Sequence, residues 1–345
     1  MNSRDTTALL EWYNREKRDL PWRNTNDPYA IWLSEVILQQ TRVDQGMAYY
    51  HKLLGHYPAV NDLANAPIDE VLSLWQGLGY YSRGRNLHAT AKKIQELGNF
   101  PSTYTSLLEL KGIGPYTAAA IASFAFNERV AVLDGNVFRV ITRFLASNLP
   151  IDKGTTRKTF QLLLNEWIPK HAPADFNQAI MELGATVCTP KNPKCSECPL
   201  TPSCRAFSAG TVLNFPVKAS KTKVEPLFLY YAAIETSSGY LVNKRPEMGV
   251  WAGLYDFPFV ESKVELNEEE VILEFQKRFP STQISTWKKD NFYTHVLSHR
   301  KISAQFFSCL CRNMSGEFSS TKTTEELLNT GISALLMKYV KEIHI

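Results

Sequence analysis

The sequence predicts an α-helical N-terminal region followed by a smaller α+β domain, and three observations support this fold class. Apolar residues recur at helical spacing from Thr6 to about Ala206, where strand patterns are scarce. From Ser208 the chain is rich in Gly, Pro and Lys without amphipathic period, which is typical of a linker. After this linker, β-branched and aromatic runs alternate with turns. The predicted boundaries are a helical domain at 1–207, a linker at 208–225 and an α+β domain at 226–345.

The helical region divides into successive segments at short breaks. The stretch NDPYAIWLSEVILQQTRVDQGMAYYHKLL opens with Asp27 as N-cap and Pro28 at the first helical position, then carries apolar residues at helical period. On this pattern alone Gln39 and Gln40 are ordinary polar helix residues. Residues 66–98 predict two helices broken at Gly77–Gly79. Further helices are predicted at Ser102–Leu110, Pro115–Phe126, Val137–Leu145, Lys153–Trp167 and Pro173–Gly184.

The C-terminal region predicts strands and two helices. The stretch LFLYYAAIETSSGYLVNKRP is a strand, a turn at Ser238-Gly239 and a second strand. KISAQFFSCLCR is another strand candidate. Helices are predicted at Asn267–Phe279 and Thr324–Thr330.

Length and charge set broad limits on function. A chain of 345 residues is too long for one comfortable core and suits two domains. Its 38 basic and 34 acidic residues leave a formal charge of +4, which allows a polyanionic partner without demanding one. The opening MNSRDTTALLEWYNREKRDL is polar and charged and lacks the apolar h-region of a secretory signal peptide. The longest apolar-like run, Ala118 to Phe126, is too short to span a bilayer. We therefore expect a soluble, unexported, cytoplasmic protein with no membrane partner.

Four of the six cysteines form a cluster with the spacing C-x6-C-x2-C-x5-C: Cys188, Cys195, Cys198 and Cys204. The other two, Cys309 and Cys311, lie far away, so the set does not resemble an evenly spread disulfide framework. Zinc sites usually pair two C-x2-C knuckles, and this loop has one such pair. The spacing therefore favours a cubane iron-sulfur cluster, with structural zinc as the alternative.

The stretch LELKGIGPYTAAAIASFAF predicts a helix, a hairpin and a second helix. Gly112 and Gly114 permit a tight turn with positive φ, and Pro115 pre-sets the first turn of the next helix. Such a turn directs backbone amides and the positive end of a helix dipole at one point, which suits a phosphate. The alternative is a simple helix connector.

Two carboxylates stand out as candidates for catalysis. Glu35 shares a helical face with Ile31 and Leu38, so its carboxyl should be partly desolvated and its pKa raised. Asp134 follows an apolar stretch where a helix could begin, with Asp134 or Asn136 near its cap. The alternatives are a surface position for Glu35 and an ordinary N-cap for Asp134.

The ordered set LPWR, SEVILQQTRV, GLGYYSR, LKGIGPYTA, VLDGNVFRV, FNQAIMELGATVC and the four-cysteine loop resembles the adenine DNA glycosylases of the MutY type, within the endonuclease III superfamily. The resemblance covers nearly the whole chain. It implies a base-excision-repair enzyme that flips out and removes adenine mispaired with 8-oxoguanine or guanine. It also implies one 4Fe-4S cluster, a double-stranded DNA partner and a monomeric protein.

The resemblance implies roles for the candidate catalytic residues. Superfamily members that also cut the strand carry a lysine two positions after the second hairpin glycine, whose amine forms a Schiff base. This sequence has Tyr116 there, which implies a monofunctional enzyme that leaves an abasic site. Glu35 would protonate adenine and help to activate water, and Asp134 would stabilise the sugar cation. Asn136 would orient Glu35 or water, and Tyr116 would press on the sugar and Asp134.

By the same resemblance, further positions are implied to contact DNA or the cofactor. The residues that match contacts to the flipped adenine are Trp22, Arg23 and Gln178. The residues that match those filling the gap beside the opposing base are Gln40, Thr41, Leu78 and Tyr80. The hairpin glycines that would bind DNA phosphate are Gly112 and Gly114. The cluster ligands would be Cys188, Cys195, Cys198 and Cys204.

The C-terminal stretches NKRPEMGVWAGLYDFP and THVLSHR resemble the Nudix-like recognition domain of the same family. No Arg-Glu-x-x-Glu-Glu sequence follows Gly253, so Glu268–Glu270 should be a solvated helix start and not metal ligands. Ser298 and His299 match the loop that meets 8-oxoguanine, although Leu297 stands where phenylalanine is frequent.

Two alternative functions remain at this stage. One is a bifunctional pyrimidine-lesion glycosylase and lyase, which Tyr116 and the extra C-terminal domain oppose. The other is a non-catalytic iron-sulfur binder of damaged DNA, which Glu35 and Asp134 oppose.

Overall fold

The computed structural model describes residues 1–220, 224–246, 249–297, 300–313, 318 and 320–343. The chain forms two compact units. The helical unit contains Met1–Asn65 and Ala89–Lys221, and the sheet unit contains Ala66–His88 and Thr222–Ile345. Residues 66–88 therefore group with the C-terminal chain, which differs from the linear division predicted from the sequence.

Twelve helices precede the sheet in the described part of the chain: α1 Ser3–Glu16, α2 Pro28–Ile37, α3 Val43–His56, α4 Val60–Asn65, α5 Ile68–Leu74, α6 Ser82–Leu97, α7 Tyr104–Leu108, α8 Pro115–Phe126, α9 Gly135–Leu145, α10 Gly154–Trp167, α11 Pro173–Thr186 and α12 Arg205–Ser208. All the helices predicted in this region are present. Within the described ranges, no helix combines the length and the apolar character needed to cross a bilayer.

The stretch after Asp27 forms two helices separated by a turn. The predicted cap is confirmed, because the Asp27 side chain accepts a hydrogen bond of 3.0 Å from the Tyr29 amide. The helical interpretation of Gln39 and Gln40 is wrong. Both lie in the turn between α2 and α3, where Gln40 has φ +56° and so cannot continue a right-handed helix. The Gln39 amide donates instead to the Thr117 hydroxyl at 3.3 Å.

The hairpin before α8 has one glycine with positive φ. Gly112 has φ +79°, as predicted. The expectation for Gly114 was wrong, because this residue has φ −88° and is the N-cap of α8. Since Gly114 has no side chain, α8 begins without a side-chain cap, and its first backbone amides are left to other acceptors.

The Val130–Leu133 segment lies outside any helix or strand and is buried. Asn177 of α11, itself fully buried, supplies much of its hydrogen bonding. The Asn177 oxygen accepts from the Val132 amide at 3.0 Å, and its nitrogen donates to the Val130 carbonyl at 2.8 Å. The same nitrogen donates to the Ser123 hydroxyl of α8 at 2.8 Å. One side chain therefore joins α8, α11 and the segment that leads into α9.

Helix α10 satisfies the other backbone groups of this segment. The Ala131 amide donates to Asn165 at 2.9 Å, and the Ala131 carbonyl accepts from Gln161 at 2.6 Å. The Leu133 carbonyl accepts from the Arg157 guanidinium at 3.1 Å. Side chains thus replace the strand partner that a buried backbone normally requires.

Among its described residues, the sheet unit is built on a mixed sheet of seven strands: β1 Glu225–Thr236, β2 Gly239–Lys244, β3 Tyr255–Asp256, β4 Phe259–Ser262, β5 Gln283–Val296, β6 Arg300–Asn313 and β7 Ser320–Lys322. The order is β3-β2-β1-β6-β5, with β4 paired to β1 and β7 to β2. β1 and β6 are parallel, and the other pairs are antiparallel. Its later helices are α13 Glu268–Arg278, α14 Thr324–Leu328 and α15 Ala334–Ile343.

Alternation along β1 and β6 places side chains on both faces of the sheet. On one face Phe306 stacks between Tyr231 and Tyr339 of α15, with ring centroids 4.7 and 4.2 Å apart. On the other face Phe307 lies in a cluster with Phe275 of α13. The sheet is therefore covered by a helix on each side.

Most predicted elements of the sheet unit are confirmed. The sequence identified β1, β2, β6, α13 and α14, and it missed β3, β4, β5, β7 and α15. The solvated helix start expected at Glu268–Glu270 is also present. These residues form the exposed first turn of α13, and Glu270 exchanges capping hydrogen bonds with Asn267.

Asn177→Ala should lower the free energy of unfolding by about 3 kcal/mol, because it leaves the buried Val132 amide and Val130 carbonyl without partners. Denaturant unfolding of the full chain measures this loss. Asn148→Ala is the control, since Asn148 is exposed and should change stability by less than about 0.5 kcal/mol. Equal stability of the two variants would show that the Asn177 hydrogen bonds are not needed.

Candidate active site

A cavity of about 230 Å³ lies within the helical unit. Its walls come from α2, α8, α9, α11 and the chain between α1 and α2. The structure brings together in this cavity the following predicted site residues: Trp22, Arg23, Glu35, Thr41, Tyr116, Asp134, Asn136 and Gln178.

Glu35 is buried on the cavity-facing side of α2, between Ile31 and Leu38. Burial raises the pKa of Glu35 from its ordinary 4.5 to about 7. A hydrogen bond from Tyr116 opposes this rise, the negative charge of Asp134 adds to it, and the positive charge of Arg23 opposes it. The carboxyl can therefore hold or release a proton near neutral pH.

Tyr116 is the second residue of α8, so the first turn of that helix directs its ring into the cavity. Burial raises the pKa of its hydroxyl well above 10, and the negative charges of Glu35 and Asp134 add to the rise. The hydroxyl therefore keeps its proton and can donate it in a hydrogen bond to Glu35.

Asp134 is both the N-cap of α9 and a wall of the cavity. One carboxylate oxygen accepts from the Val137 amide at 2.7 Å, and the other accepts from the Asn136 side chain at 2.8 Å. Burial raises the pKa of Asp134, and these two hydrogen bonds oppose the rise. The Asn136 amide thus contacts Asp134, whereas the family resemblance implied that Asn136 orients Glu35 or water.

Arg139 links this cap to the start of the cysteine loop. Its guanidinium donates to the Asn136 side chain at 2.8 Å, to the Gly184 carbonyl at 2.6 Å and to the Cys188 carbonyl at 2.6 Å. Helices α9 and α11 meet closely here, since a Cβ on Gly184 would lie 2.7 Å from the Asn136 Cβ. The position of Asn136, and through it Asp134, is therefore set by α11.

Glu182 of α11 anchors the chain between α1 and α2, which the sequence analysis missed. Its side chain is inaccessible to solvent and accepts from Arg18 at 2.7 and 2.8 Å and from Arg23 at 2.7 Å. Burial alone would raise the pKa of Glu182, but the hydrogen bonds from Arg18 and Arg23 outweigh it and lower the pKa to about 2. The only sequence signal was a basic run, REKRDLPWR, with no indication of its acidic partner.

Aromatic side chains position the remaining cavity residues. The Tyr13 hydroxyl, also missed from the sequence, donates to the Gln178 side-chain oxygen at 2.7 Å. The Arg23 guanidinium lies 5.7 Å from the centre of the Tyr13 ring. Trp22 packs edge-on against Tyr50, with ring centroids 5.2 Å apart. These contacts fix the orientation of Gln178, Arg23 and Trp22 in the cavity wall.

The first residues of the four-cysteine loop contact the guanidinium of Arg143, a buried residue of α9. Arg143 donates to the Thr189 carbonyl at 2.7 Å, the Pro190 carbonyl at 3.0 Å and the Cys188 sulfur at 3.4 Å. Ser203 ties the far end of the loop to Asp5 of α1 at 2.7 Å. A buried cation beside a cysteine sulfur suits an anionic metal-sulfur group.

The four cysteines of this loop form a donor set made of sulfur alone. Cys188, Cys195, Cys198 and Cys204 all carry free thiols. Among the residues that the structure describes, no three His, Cys, Asp or Glu side chains approach closely enough to hold a single metal ion. Four thiolates with one C-x2-C pair fit a larger cluster better than a zinc tetrahedron.

Other predicted contact residues lie outside this cavity. Gln40 is in the turn after α2, and Gly112 and Gly114 precede α8. Leu78 and Tyr80 belong to the sheet unit, where Leu78 is 7% exposed and Tyr80 42%.

The predicted 8-oxoguanine loop is only partly described. Ser298 and His299 lie outside the described residues. The preceding Leu297 donates from its amide to the Arg300 carbonyl at 2.8 Å. Leu297 also lines a cavity of about 600 Å³ within the sheet unit, together with Tyr80 and Trp251.

Comparison with known families defines the class of the protein. Residues 33–169 match the HhH-GPD superfamily of base excision DNA repair proteins. Residues 188–204 match the iron-sulfur binding domain of endonuclease III, and residues 230–342 match a NUDIX domain. The fold is therefore that of a base-excision DNA glycosylase with an iron-sulfur loop and an added Nudix-like domain.

Curated relatives narrow this class to one family. The adenine DNA glycosylase of Mus musculus is 35% identical over 97% of this chain and 77% of its own length. That of Buchnera aphidicola from Baizongia pistaciae is 34% identical over 85% of this chain and 82% of its own length. The Arabidopsis thaliana relative is 40% identical over 76% of this chain, which spans only 48% of that relative. The chain belongs to the adenine DNA glycosylases, monofunctional hydrolases of the N-glycosidic bond, and its cysteine loop holds one 4Fe-4S cluster.

Solved structures agree with the helical fold. A thermostable thymine-DNA glycosylase is 28% identical, with a TM-score of 0.55 over 59% of this chain and 95% of its own. A non-covalent endonuclease III–DNA complex is 21% identical, with a TM-score of 0.51 over 61% of this chain and 99% of its own. The second likeness is one of fold alone.

Glu182→Gln should lower the free energy of unfolding by about 2 kcal/mol at neutral pH, because two arginines lose their charged acceptor. The pKa of Glu182 is about 2 against an ordinary 4.5, so its stabilisation is complete above pH 4.5 and is lost as the pH falls toward 2. Urea unfolding at a series of pH values should show the difference from wild type shrinking over that range.

Glu197→Gln provides the matched control for this measurement. Glu197 pairs with Lys194 on the surface, where both side chains are more than half exposed, so its loss should change stability by less than about 0.5 kcal/mol. A Glu182 difference that stays constant down to about pH 2 would contradict a charge-based anchor.

Proposed function

We propose that the protein flips adenine out of duplex DNA when it lies opposite 8-oxoguanine or guanine, and hydrolyses its N-glycosidic bond to leave an abasic site. The observation that carries this proposal is the cavity in which Glu35, Tyr116 and Asp134 converge. We infer further that one chain acts as a monomer, since a single chain supplies every residue of this cavity.

Glu35 is the proposed proton donor. Its pKa of about 7 leaves a large protonated fraction at neutral pH. The protonated carboxyl passes its proton to a ring nitrogen of adenine, and the electron pair of the glycosidic bond leaves with the base. The Glu35 carboxylate then accepts a proton from the water that attacks the sugar carbon.

Asp134 is the proposed stabiliser of the sugar cation. Two hydrogen bonds, from the Val137 amide and the Asn136 side chain, favour its ionised form. A fixed negative charge in a buried site is worth more to a developing cation than the same charge in water. Through Asn136, Arg139 becomes a residue that holds the carboxylate in place.

Tyr116 explains why hydrolysis ends at the abasic site. Strand cleavage by a lyase needs an amine that forms a Schiff base with the sugar, and a phenol cannot do so. Its protonated hydroxyl instead donates to Glu35 and lies near Asp134. Tyr116 is therefore proposed to keep the two carboxyls in separate roles.

The adenine would be recognised by the residues of the cavity wall. Trp22 offers an aromatic face, and Arg23 and Gln178 offer polar groups whose orientation is fixed by Glu182 and Tyr13. Such preorganised contacts suit a flat base that has left the helix stack.

Opening of the duplex is proposed to use three further elements. The uncapped start of α8 after Gly114 presents backbone amides to a DNA phosphate, with Gly112 shaping the approach. Gln40 and Thr41 from the turn after α2, and Leu78 and Tyr80 from the sheet unit, would fill the space that the adenine leaves.

The sheet unit is proposed to read the opposing base. The loop with Ser298 and His299 matches the family position for 8-oxoguanine, and the cavity lined by Leu297 and Tyr80 lies in the same unit. 8-Oxoguanine differs from guanine by an N7 hydrogen and a carbonyl, which a hydroxyl and loop amides can distinguish.

The four clustered cysteines are the proposed ligands of the 4Fe-4S cluster: Cys188, Cys195, Cys198 and Cys204. Iron–thiolate bonds would cross-link this loop, and no step of base removal uses them. The loop is tied to α9 by Arg143 and to Asn136 by Arg139, so its contribution is structural support for Asp134.

The pH dependence of base release tests the role of Glu35. Single-turnover rates on an 8-oxoguanine:adenine duplex should be flat below about pH 7 and fall about tenfold per pH unit above it, as Glu35 loses its proton. Glu35→Gln should lose most activity at every pH. Glu166→Gln, at an exposed position, should keep the wild-type profile. An unchanged profile in Glu35→Gln would exclude Glu35 as the acid.

Asp134→Asn tests the site and the reaction together. The amide still caps α9, so DNA affinity should stay within about twofold while base release falls at least about a hundredfold. Wild type should release adenine opposite 8-oxoguanine and guanine, spare thymine:adenine pairs and give no borohydride-trapped adduct. A trapped adduct, or wild-type activity in Asp134→Asn, would overturn the proposal.

A further inference from the structure

The turn formed by Gly77, Leu78, Gly79 and Tyr80 joins α5 to α6 in an unusual backbone conformation. Gly77 has φ +94°, Gly79 +73° and Tyr80 +48°, all in the left-handed region. A tyrosine in this region costs about 1 to 2 kcal/mol. The turn therefore needs contacts outside itself to stay in this shape.

Arg83 of α6 supplies such contacts from within the sheet unit. It is only 8% exposed, and its guanidinium donates to the Leu78 carbonyl at 3.2 Å and to the Gly79 carbonyl at 3.1 Å. The Trp75 indole also donates to the Gly79 carbonyl at 3.1 Å. Two side chains thus satisfy carbonyl groups that the reversed backbone directs inward.

The same guanidinium lies against two aromatic rings. Its central carbon is 5.3 Å from the Trp75 ring centre and 5.7 Å from that of Tyr80. Burial lowers the pKa of Arg83 to about 10, so it is still a cation at neutral pH. Cation–π attraction therefore fixes the Tyr80 ring as well as the backbone of the turn.

Resting on the proposed function, in which Leu78 and Tyr80 fill the gap beside the opposing base, we infer that Arg83 is a positioning residue that holds the Gly77–Tyr80 turn ready for insertion before DNA binds. The ordering of the turn is then complete in the free protein. The free energy of DNA binding can then be used to separate the base pair, because none of it is needed to order the turn.

Tyr81 anchors the end of the same turn. This residue follows Tyr80 directly and is buried, and its hydroxyl donates to the Ile332 carbonyl at 2.9 Å. The contact joins the end of the turn to the chain between α14 and α15. Loss of the Tyr81 hydroxyl should therefore loosen the turn in the same direction as loss of Arg83, with a smaller effect.

Arg83→Lys is the principal test, because lysine keeps the charge but cannot hold two carbonyls with a planar group. Two duplexes are compared in single-turnover assays: one with 8-oxoguanine opposite adenine, and one with an abasic site opposite adenine, where no pair needs to be opened. We expect base release to fall about tenfold on the paired duplex and to stay within about twofold of wild type on the second.

A spectroscopic measurement supports the kinetic one. With 2-aminopurine in place of the target adenine, its fluorescence rises when the base leaves the stack. Arg83→Lys should slow this rise by about the same tenfold factor as base release. A variant that was merely destabilised would lose both duplex activities in proportion to its folded fraction.

Tyr81→Phe keeps the inference testable if Arg83→Lys does not fold. Tyr29→Phe is its matched control, since Tyr29 is equally buried and donates to the Tyr57 carbonyl at 2.8 Å in the helical unit. Both variants lose one buried hydrogen bond from a tyrosine hydroxyl. Only Tyr81→Phe should lower the rate of base release on the paired duplex selectively, by about threefold.

The outcomes separate this inference from the proposed function. The positioning role would be overturned if Arg83→Lys and Tyr81→Phe lost base-release activity equally on both duplexes, or if neither variant lost activity, while the wild type still releases adenine. Failure of wild type to release adenine from either duplex would overturn the proposed function itself.

Discussion

The buried Val130–Leu133 segment is the constraint on which the site depends. It lies outside any helix or strand, so its amides and carbonyls are satisfied by side chains of α10 and by Asn177 of α11. This segment ends at Asp134, and any shift in it would move the carboxylate. Because α11 also carries Gln178 and Glu182, one helix fixes the approach to Asp134 and two walls of the cavity. The contacts that stabilise this part of the fold are therefore also the contacts that position the site.

Three carboxyl groups that line the cavity differ in pKa because their surroundings differ. Glu35 has few polar partners, and burial raises its pKa to about 7. Glu182 is equally hidden from solvent but faces two arginines, which lower its pKa to about 2. Asp134 lies between these cases, with burial opposed by hydrogen bonds at the start of α9. The neighbouring groups therefore suit Glu35 to donate a proton, Glu182 to act as a structural anion and Asp134 to supply the proposed negative charge for the sugar.

The sequence was informative wherever the signal was local. Helix period, caps and proline positions predicted α8 and α9 closely, and the placement of Glu35 beside Ile31 and Leu38 was correct. It failed for contacts between distant residues, such as Glu182 with Arg18, because neither residue carries a local mark of its partner. The strand β5 was missed because its side chains are largely polar or half exposed, without a clear apolar alternation. The grouping of residues 66–88 with the C-terminal chain likewise depends on packing and not on composition.

Gly184 shows how this architecture limits the drift of its own sequence. A glycine inside a helix lowers helix stability by about 1 kcal/mol relative to alanine. Mutation without a constraint on structure would therefore be expected to replace it. At this position even one methyl group would lie 2.9 Å from the Asn136 carbonyl oxygen, and the helix backbone there cannot yield without moving α9. The weakest helix former after the first turn of α11 is thus the one residue type that fits at that point. The constraint at this position is therefore on side-chain volume and not on side-chain chemistry.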